Sequence, residues 1–466
     1  MIDIIEQLGG PAARASELLI LDASGDAARC VAYRRLRHAE FVDRQGLFAR
    51  DDTDAADLAD TTRVLVAVAA DGRVIGGVRL HRRDGDRELG WWQGSRLVVA
   101  GGAEQTRTGI GAALVRAACA TALNLGALRF DAHVQARHER FFTRLGWETV
   151  RSIEMAGAPH TLVRWPIDRF ERLVAATKAP IGSLVGGLVA RDRWRGDDAV
   201  PIPGSDLVTT VDAITPSMVE QDPEWAGWCG ILVTAHDLAA MGATPVGALD
   251  AIGAADVAHA ARVLQGLRRA SEAFDLPVLG GHTQLGVPGA LAVTGFGHAA
   301  DPVPAGGARP GDALTVTADL TGSWRPGYHG RQWDSTSSRT REELAAMLDT
   351  VRRCRPRAAK DVSMAGIVGT AGMLVEAGGC GAELTVASIP RPGGAGLADW
   401  LTCFPGYAVI TCDRPGSGAP IAPVPGVISE RCGRLTAAPG VRLRWPDGEM
   451  TTALAGAGVT GLGVAA

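Results

Sequence analysis

Two periods of apolar and polar residues alternate along this chain, and the changes between them mark its elements. TRVLVAVAA and RVIGGVRLH flank Asp71-Gly72, a pair suited to the positive φ angles of a tight turn, and so predict a β-hairpin. GSRLVVA, after ELGWWQ, and LRFDAHV predict two more strands. Between them, GGAEQTRTGIGAALVRAACATALNLGA reads as a glycine-containing turn feeding a small-residue helix. Upstream, CVAYRRLRHAEFV places Tyr33, Leu36 and Phe41 at roughly helical spacing. ARHERFFTRLGW predicts a short helix ending at Gly146, and Gly157–Ile167 a turn and strand punctuated by Pro159 and Pro166. IDIIEQL reads equally as a short strand or a helix.

The second half keeps the alternation with longer helices. DRFERLVAATKAPIGSLVGGLVARDRW predicts a helix and a flexible glycine-containing segment, with a linker near Pro166–Leu173. LVTTV predicts a strand, and DPEWAGWCGILVTAHDLAAMGATPVGALDAI a long helix stopped at Gly242 and then a strand. HAARVLQGLRRASEAFDL is an amphipathic helix, PVLGGHTQ and ALAVTGFGHA are strands, and ELAAMLDTVRRC is a helix. The last part is strand-rich around a Pro446–Gly448 turn. The order predicts an α+β (mixed α/β) chain. Thr321–Arg339, polar and aromatic, reads equally as a substrate-facing loop or a disordered one.

A length of 466 residues predicts two or three domains, and 46% apolar residues suffice for buried cores. A net charge of −4 gives no support to nucleic-acid binding. No apolar run reaches the roughly 18 residues of a transmembrane helix, and MIDIIEQLGG lacks the basic start of a secretory signal. Eight cysteines without a C-x-x-C pair predict reduced thiols in a cytoplasmic protein. Arginine dominates the basic residues, and only Lys178 and Lys360 are lysines. An ammonium does not replace a guanidinium at a phosphate or buried acid, so the two are either chance survivors or functional.

The candidate chemistry is acidic. Asp197, Asp198, Asp212 and Asp237 each stand beside an apolar or small segment, followed later by LGGHTQ. Carboxylates from separate elements can converge on Mg²⁺, which takes further oxygens from water and phosphates. Singly, each is as readily an N-cap or turn residue. Asp51, Asp52, Asp54, Asp57 and Asp60 read as a solvated loop, with an acidic rim for an amine as the alternative.

GDDA, TTVDA, DLAAMGA and the GG-x-T of Gly280–Thr283 resemble the signature series of the aminoimidazole ribonucleotide (AIR) synthetase superfamily, from about Ile167 to the C-terminus. The resemblance implies Mg·ATP binding, with Asp197, Asp198, Asp212 and Asp237 as metal or phosphate-site residues. It also implies a phosphate-facing turn at Gly280, Gly281, His282 and Thr283, and a homodimer through this part. His282 stands where relatives carry Asp or Glu, and imidazole is a poorer Mg²⁺ ligand. Lys178 is a phosphate candidate in the segment before GDDA. AAKDVSMAG resembles the superfamily's KDIS segment, which marks Lys360 and Asp361 as catalytic candidates across the cleft.

The region from about Ala28 to Trp165 resembles the Gcn5-related N-acetyltransferases (GNAT). Its strand and glycine turn imply an acetyl-CoA or other acyl-CoA site. That site implicates Leu97, Val98 and Val99, then Arg107, Thr108, Gly109, Ile110, Gly111 and Ala112. A helix N-terminus suits the coenzyme's pyrophosphate. FFTRLGW puts Phe142, which has no proton to give, where many members carry a tyrosine acid. Glu88, His133 and His138 are the candidates for moving the proton, with Glu88 taken as the catalytic one. The combination resembles fused acetyltransferase and synthetase-like proteins of bacterial nitrilase gene clusters linked to nitrogen starvation. The expected plan is an extension at 1–27, a GNAT-like domain at 28–166, and synthetase-like halves at 167–306 and 307–466. The implied function is bifunctional, an N-acyltransferase and a Mg·ATP-dependent synthetase or kinase on a small nitrogenous metabolite. The alternative is a cofactor-binding sensor.

Overall fold

In the computed structural model the chain divides into two units, Met1–Ile167 and Asp168–Ala466. Residues 18–83, 85–101, 109–155, 157–418, 420–456 and 458–465 are described. IDIIEQL lies outside them, as do Arg107 and Thr108.

The first unit is built on seven strands: β1 (Leu18–Asp22), β2 (Arg63–Ala69), β3 (Val74–Arg82), β4 (Trp91–Val99), β5 (Arg129–Gln135), β6 (Glu148–Met155) and β7 (Ala158–Trp165). They lie in the order β1-β2-β3-β4-β5-β7-β6. β1 belongs to the stretch expected as an extension, yet it pairs antiparallel with β2 from Leu18 to Asp22. β4 and β5 are parallel, and the connection between them carries α2 (Ile110–Asn124). On β5, Phe130, Ala132 and Val134 enter the core with α2, whereas Arg129, Asp131, His133 and Gln135 face the other way. That other side of the sheet holds α1 (Ala27–Arg37), whose Tyr33 anchors a second apolar cluster.

Of the aspartates expected to be solvated, Asp51 and Asp60 are exposed, but Asp52, Asp54 and Asp57 are held by arginines. Arg37 bonds Asp52 at 2.7 Å and Asp57 at 2.6 Å, and Arg79 bonds Asp54 and Asp57, both at 2.6 Å. Arg37 and Arg79 are almost wholly buried. Three arginines (Arg96 pairs with Asp52 and Asp54) thus match three carboxylates. Arginine's planar fork suits such multidentate pairing. A one-dimensional pattern of Asp cannot reveal it, because the partners come from α1, β3 and β4.

The second unit has two main sheets. The first contains β8 (Val200–Pro201), β9 (Leu207–Ala213), β10 (Thr244–Ala254), β11 (Val278–Leu285) and β12 (Ala290–His298), in the order β11-β10-β12-β9-β8. The second contains β13 (Ala313–Asp319), β16 (Ala358–Asp361), β17 (Gly381–Thr385), β18 (Ala408–Asp413), β19 (Val427–Thr436), β20 (Gly440–Arg444) and β21 (Met450–Leu454). A short hairpin, β14 (Ser323–Trp324) and β15 (Trp333–Asp334), follows β13.

Of its helices, α4 (Arg169–Thr177) precedes β8, while α5 (Pro223–Ala240) and α6 (Val257–Phe274) pack together on one face of the first sheet. α5 is apolar almost all round and nearly every residue is buried, as a helix enclosed by a sheet and another helix requires. At the α5–α6 crossing a Cβ on Gly227 would lie 2.2 Å from Val263 O, and one on Gly266 1.9 Å from Glu224 O. α7 (Gly366–Gly378) packs across β16, β17 and β20.

The Thr321–Arg339 insert is ordered. Arg339 holds buried Asp319 through two bonds of 2.8 and 2.9 Å. Trp225 Nε1 donates to Gln332 Oε1 at 2.7 Å, which fastens the hairpin to the first turns of α5.

Candidate functional site

Asp237 lies in the last turn of α5, which runs beneath β9 and β12. Thr210 and Asp212 are two apart on β9 and therefore project to one face. Thr210 Oγ1 donates to Asp237 Oδ2 at 2.5 Å, and the charge of Asp212 is felt at Asp237. β16 delivers Lys360 and Asp361 from the second sheet. The loop before β8 delivers Asp198, whose Oδ2 accepts the Asp361 backbone N–H at 2.9 Å. Asp198, Asp237 and Asp361 consequently present ligand oxygens within 4.8 Å of one another.

This crowding is costly without a cation. Burial, with the charges of Asp212, Asp361 and Asp198, holds Asp237 well above the usual carboxylate range. Burial and Asp198 do the same to Asp361. The C-terminal end of α5 adds negative helix-dipole charge on the same side. Asp361 Oδ2 is buried with no hydrogen-bond partner among the described residues. An orphaned carboxylate oxygen beside two others, all hard donors, fits a divalent cation such as Mg²⁺.

Lys360 is a fixed cation here, not a mobile base. Its Nζ pairs with Asp198 Oδ1 and donates to Gly196 O at 3.1 Å. Burial lowers its affinity for protons, but Asp198 and Asp361 outweigh that and hold the ammonium above its usual range. Lys178 caps the end of α4, and its charge is felt at Asp361.

Asp197 is not part of the three-carboxylate group. Its Oδ1 accepts from Ala305 N at 2.8 Å, and burial pushes its carboxyl up to about 7. Its side chain thus serves a backbone amide while that of its neighbour Asp198 serves the cluster.

Gly280, Gly281, His282 and Thr283 form no turn. They lie within β11, an edge strand paired in parallel with β10 and exposed along its length. Three strand spacings separate β11 from β9, about 14 Å, so these residues stand across the sheet from Asp212. The glycine at 281 has a local cause, since a Cβ there would lie 2.5 Å from the Asp250 carboxylate.

The sequence reading missed Thr210 and His236. Thr210 was legible in principle, because TTVDA puts it on the same strand face as Asp212. His236 is buried with neither ring nitrogen partnered among the described residues, and burial lowers it to about 3. It meets the Tyr407 ring edge-on at 5.3 Å, and with Thr350, Asp361 and Tyr407 it lines a cavity of about 10 Å³, room for about one water.

In the first unit, β5 pairs with β4 only from Trp91–Arg129 to Gly94–Ala132. β4 then bulges: Arg79 pairs with Ser95 and Gly77 with Val98, while Arg96 takes a φ of 56°. Tyr33 Oη donates to Arg96 O at 2.8 Å and braces the bulge. Leu97, Val98 and Val99 lie past the split, where β5 no longer pairs with their backbone. Gly109 takes a left-handed φ of 75° as N-cap of α2, with no side-chain cap bond to the helix start among the described residues. A strand edge and the start of a 15-residue helix, both without a partner among the described residues, fit an extended anionic acyl carrier.

Glu88 is not brought to the split. It precedes β4 and pairs with Arg82 at 2.9 Å, and about 20 Å of strand separates Trp91 from Leu97. His138 caps α3 (Glu139–Arg144). His133 follows the last β4–β5 pair directly and stands at the split. Phe142 is buried against Phe141 and Trp147.

Two family models match. Residues 31–147 match the acetyltransferase (GNAT) family, and residues 196–299 match the N-terminal domain of AIR synthase-related proteins. An uncharacterized Synechocystis protein, sll0787, is 35% identical over 227 residues, 47% of this chain and 70% of that protein. A thiamine-monophosphate kinase of Halobacterium salinarum is 34% identical over 142 residues, 29% of this chain and 48% of the kinase. Among solved structures, phosphoribosylformylglycinamidine synthase II of Thermotoga maritima has a TM-score of 0.51 at 14% identity, covering 62% of this chain and 52% of that one. That likeness is one of fold. No helix among the described residues is long and apolar enough to cross a membrane. The chain therefore belongs to the family of the Synechocystis protein, and it joins a GNAT acetyltransferase domain to an AIR synthase-related domain in a mixed α/β architecture.

Proposed function

We propose that this is a bifunctional cytoplasmic enzyme acting on a small nitrogenous metabolite, with an acyl-CoA-dependent N-acyltransferase unit and a Mg·ATP-dependent kinase or synthetase unit. The convergence of Asp198, Asp237 and Asp361 carries the second activity. Similarity to thiamine-monophosphate kinases supports a phosphoryl-transfer reading. Asp198, Asp237 and Asp361 would hold the metal, with Asp212 supporting Asp237. Bound Mg²⁺ would neutralise phosphate charge and orient it for transfer. Lys360 holds the Asp198 carboxylate in place through their ion pair, and Lys178 is the candidate for a phosphate oxygen.

The synthetase-like unit also carries the surface of a homodimer. Among the described residues β11 leaves one edge unpaired, and Val211, Val246, Leu249 and Leu279 are exposed on the sheet that contains it. Such an edge and apolar face call for a covering partner.

The nucleotide site is tested by titration calorimetry of ATP with Mg²⁺. Asp361→Asn is expected to weaken Mg²⁺-dependent binding at least about tenfold, near 1.4 kcal/mol, while Asp197→Asn keeps it. Equal affinity in wild type and Asp361→Asn would remove the assignment. A sensor is the second reading, favoured by the burial of Phe142, which leaves the acyltransferase unit without the family's usual acid. ATP binding with no ADP formed in the presence of cell-extract metabolites would select it.

A further inference from the structure

The acyltransferase unit lacks a hydroxyl acid at Phe142, yet polar side chains gather where the sheet splits. Gln93, from β4, and His133, from β5, share the α1 side of the sheet. Gln93 Nε2 lies 3.2 Å from His133 Nδ1. An amide nitrogen offers N–H donors and no acceptor, so Nδ1 accepts. In a neutral ring the proton then sits on Nε2. Burial lowers His133 below its usual value and so keeps it neutral. The charged or titratable groups felt at this ring are Arg83, Asp131 on β5, His160 on β7 and Arg151 on β6. Asp131 is already engaged by Arg129 and Arg164. Nε2–H is thus a donor of fixed tautomer at the point where β4 and β5 part.

We infer that His133, through Nε2–H, is the hydrogen-bond donor to the sulfur of a bound acyl thioester as its C–S bond breaks. This rests on the acyltransferase reading above. The amine lone pair forms the C–N bond, the C–S pair passes to sulfur, and the nitrogen's proton goes to water. His133 neither gains nor loses a proton. Its donor stabilises the departing thiolate, as preorganised donors do for developing negative charge. A neutral imidazole N–H is too weak an acid to protonate a thiolate, so the role is electrostatic and differs from the tyrosine acid it stands in for.

The test uses the full chain with CoA and with desulfo-CoA, which lacks the sulfur. Affinities come from calorimetry, and the bound thiol's titration is followed by thiolate ultraviolet absorbance. The bound thiol is expected to titrate about one pH unit lower in wild type than in His133→Phe, with desulfo-CoA affinity alike in both. Nitrogen-15 NMR of wild type is expected to find Nε2 protonated and Nδ1 bare, and Gln93→Leu to lose that preference. Equal thiol titration in wild type and His133→Phe, or a proton on Nδ1, would overturn the inference and leave the acyltransferase reading standing. Failure to bind either CoA or desulfo-CoA would overturn both.

Discussion

At the scale of single residues, burial decides what each charge does. His81 lies in the first unit beside Ser95, and burial, then the Arg79 charge, lowers it to about 4. The unfolded chain takes up that proton near pH 6.5 and the folded one only near 4. The first unit should therefore lose stability as pH falls from 6.5 to 4, by up to about 3 kcal/mol. His81→Gln should flatten that dependence in denaturant melts at pH 7 and 4.5. A slope unchanged by the substitution would contradict it.

Residue chemistry was partly legible. GDDA and DLAAMGA drew attention to Asp198 and Asp237 as members of an ordered set of acidic segments that resembles the AIR synthetase signature series. The partition of Asp197 from Asp198 was not legible, since it depends on which neighbour meets Ala305 N–H. Nor was the pairing of Asp52, Asp54 and Asp57, whose arginines lie elsewhere in the sequence.

At the scale of elements, period and punctuation predicted most strands and helices correctly. Asp71-Gly72 does close the β2–β3 hairpin, while the tight contact of α5 with α6 falls at Gly227 and Gly266, which no stretch of sequence had marked. LGGHTQ failed as a turn because glycine pairs mark close approach as readily as chain reversal. The α5–α6 crossing gives a sharp prediction. Gly266→Ala should cost at least about 2 kcal/mol, because its Cβ would overlap a carbonyl of α5 that cannot give way. Gly187→Ala, with nothing within 4 Å of its Cβ, is the matched control and should leave the melting temperature unchanged. Equal melting temperatures for the two variants would refute this account of the crossing.

At the scale of the whole molecule, the GNAT and AIR synthase-related matches fall in different units. Each unit has its own cores: one gathers Phe130, Trp147 and the inner face of α2, and the other is built around α5. A two-step unfolding transition is the natural expectation for such a chain. The exposed sheet of the second unit sets a test of assembly. Leu249→Lys combined with Leu279→Lys should turn a dimer into a monomer in sedimentation velocity, leaving the α5–α6 core intact. A monomeric wild type, or a variant that stays dimeric, would refute association through this sheet.

Lys360, sealed against Asp198, leaves Lys178 as the one lysine side chain within reach of solvent. Amine-reactive labelling, which on most proteins yields a crowded mixture of adducts, has a single side-chain target here. A reagent of that kind becomes a one-position footprint. The mass increment it leaves, or fails to leave, reads directly on whatever occupies the approach to Asp361.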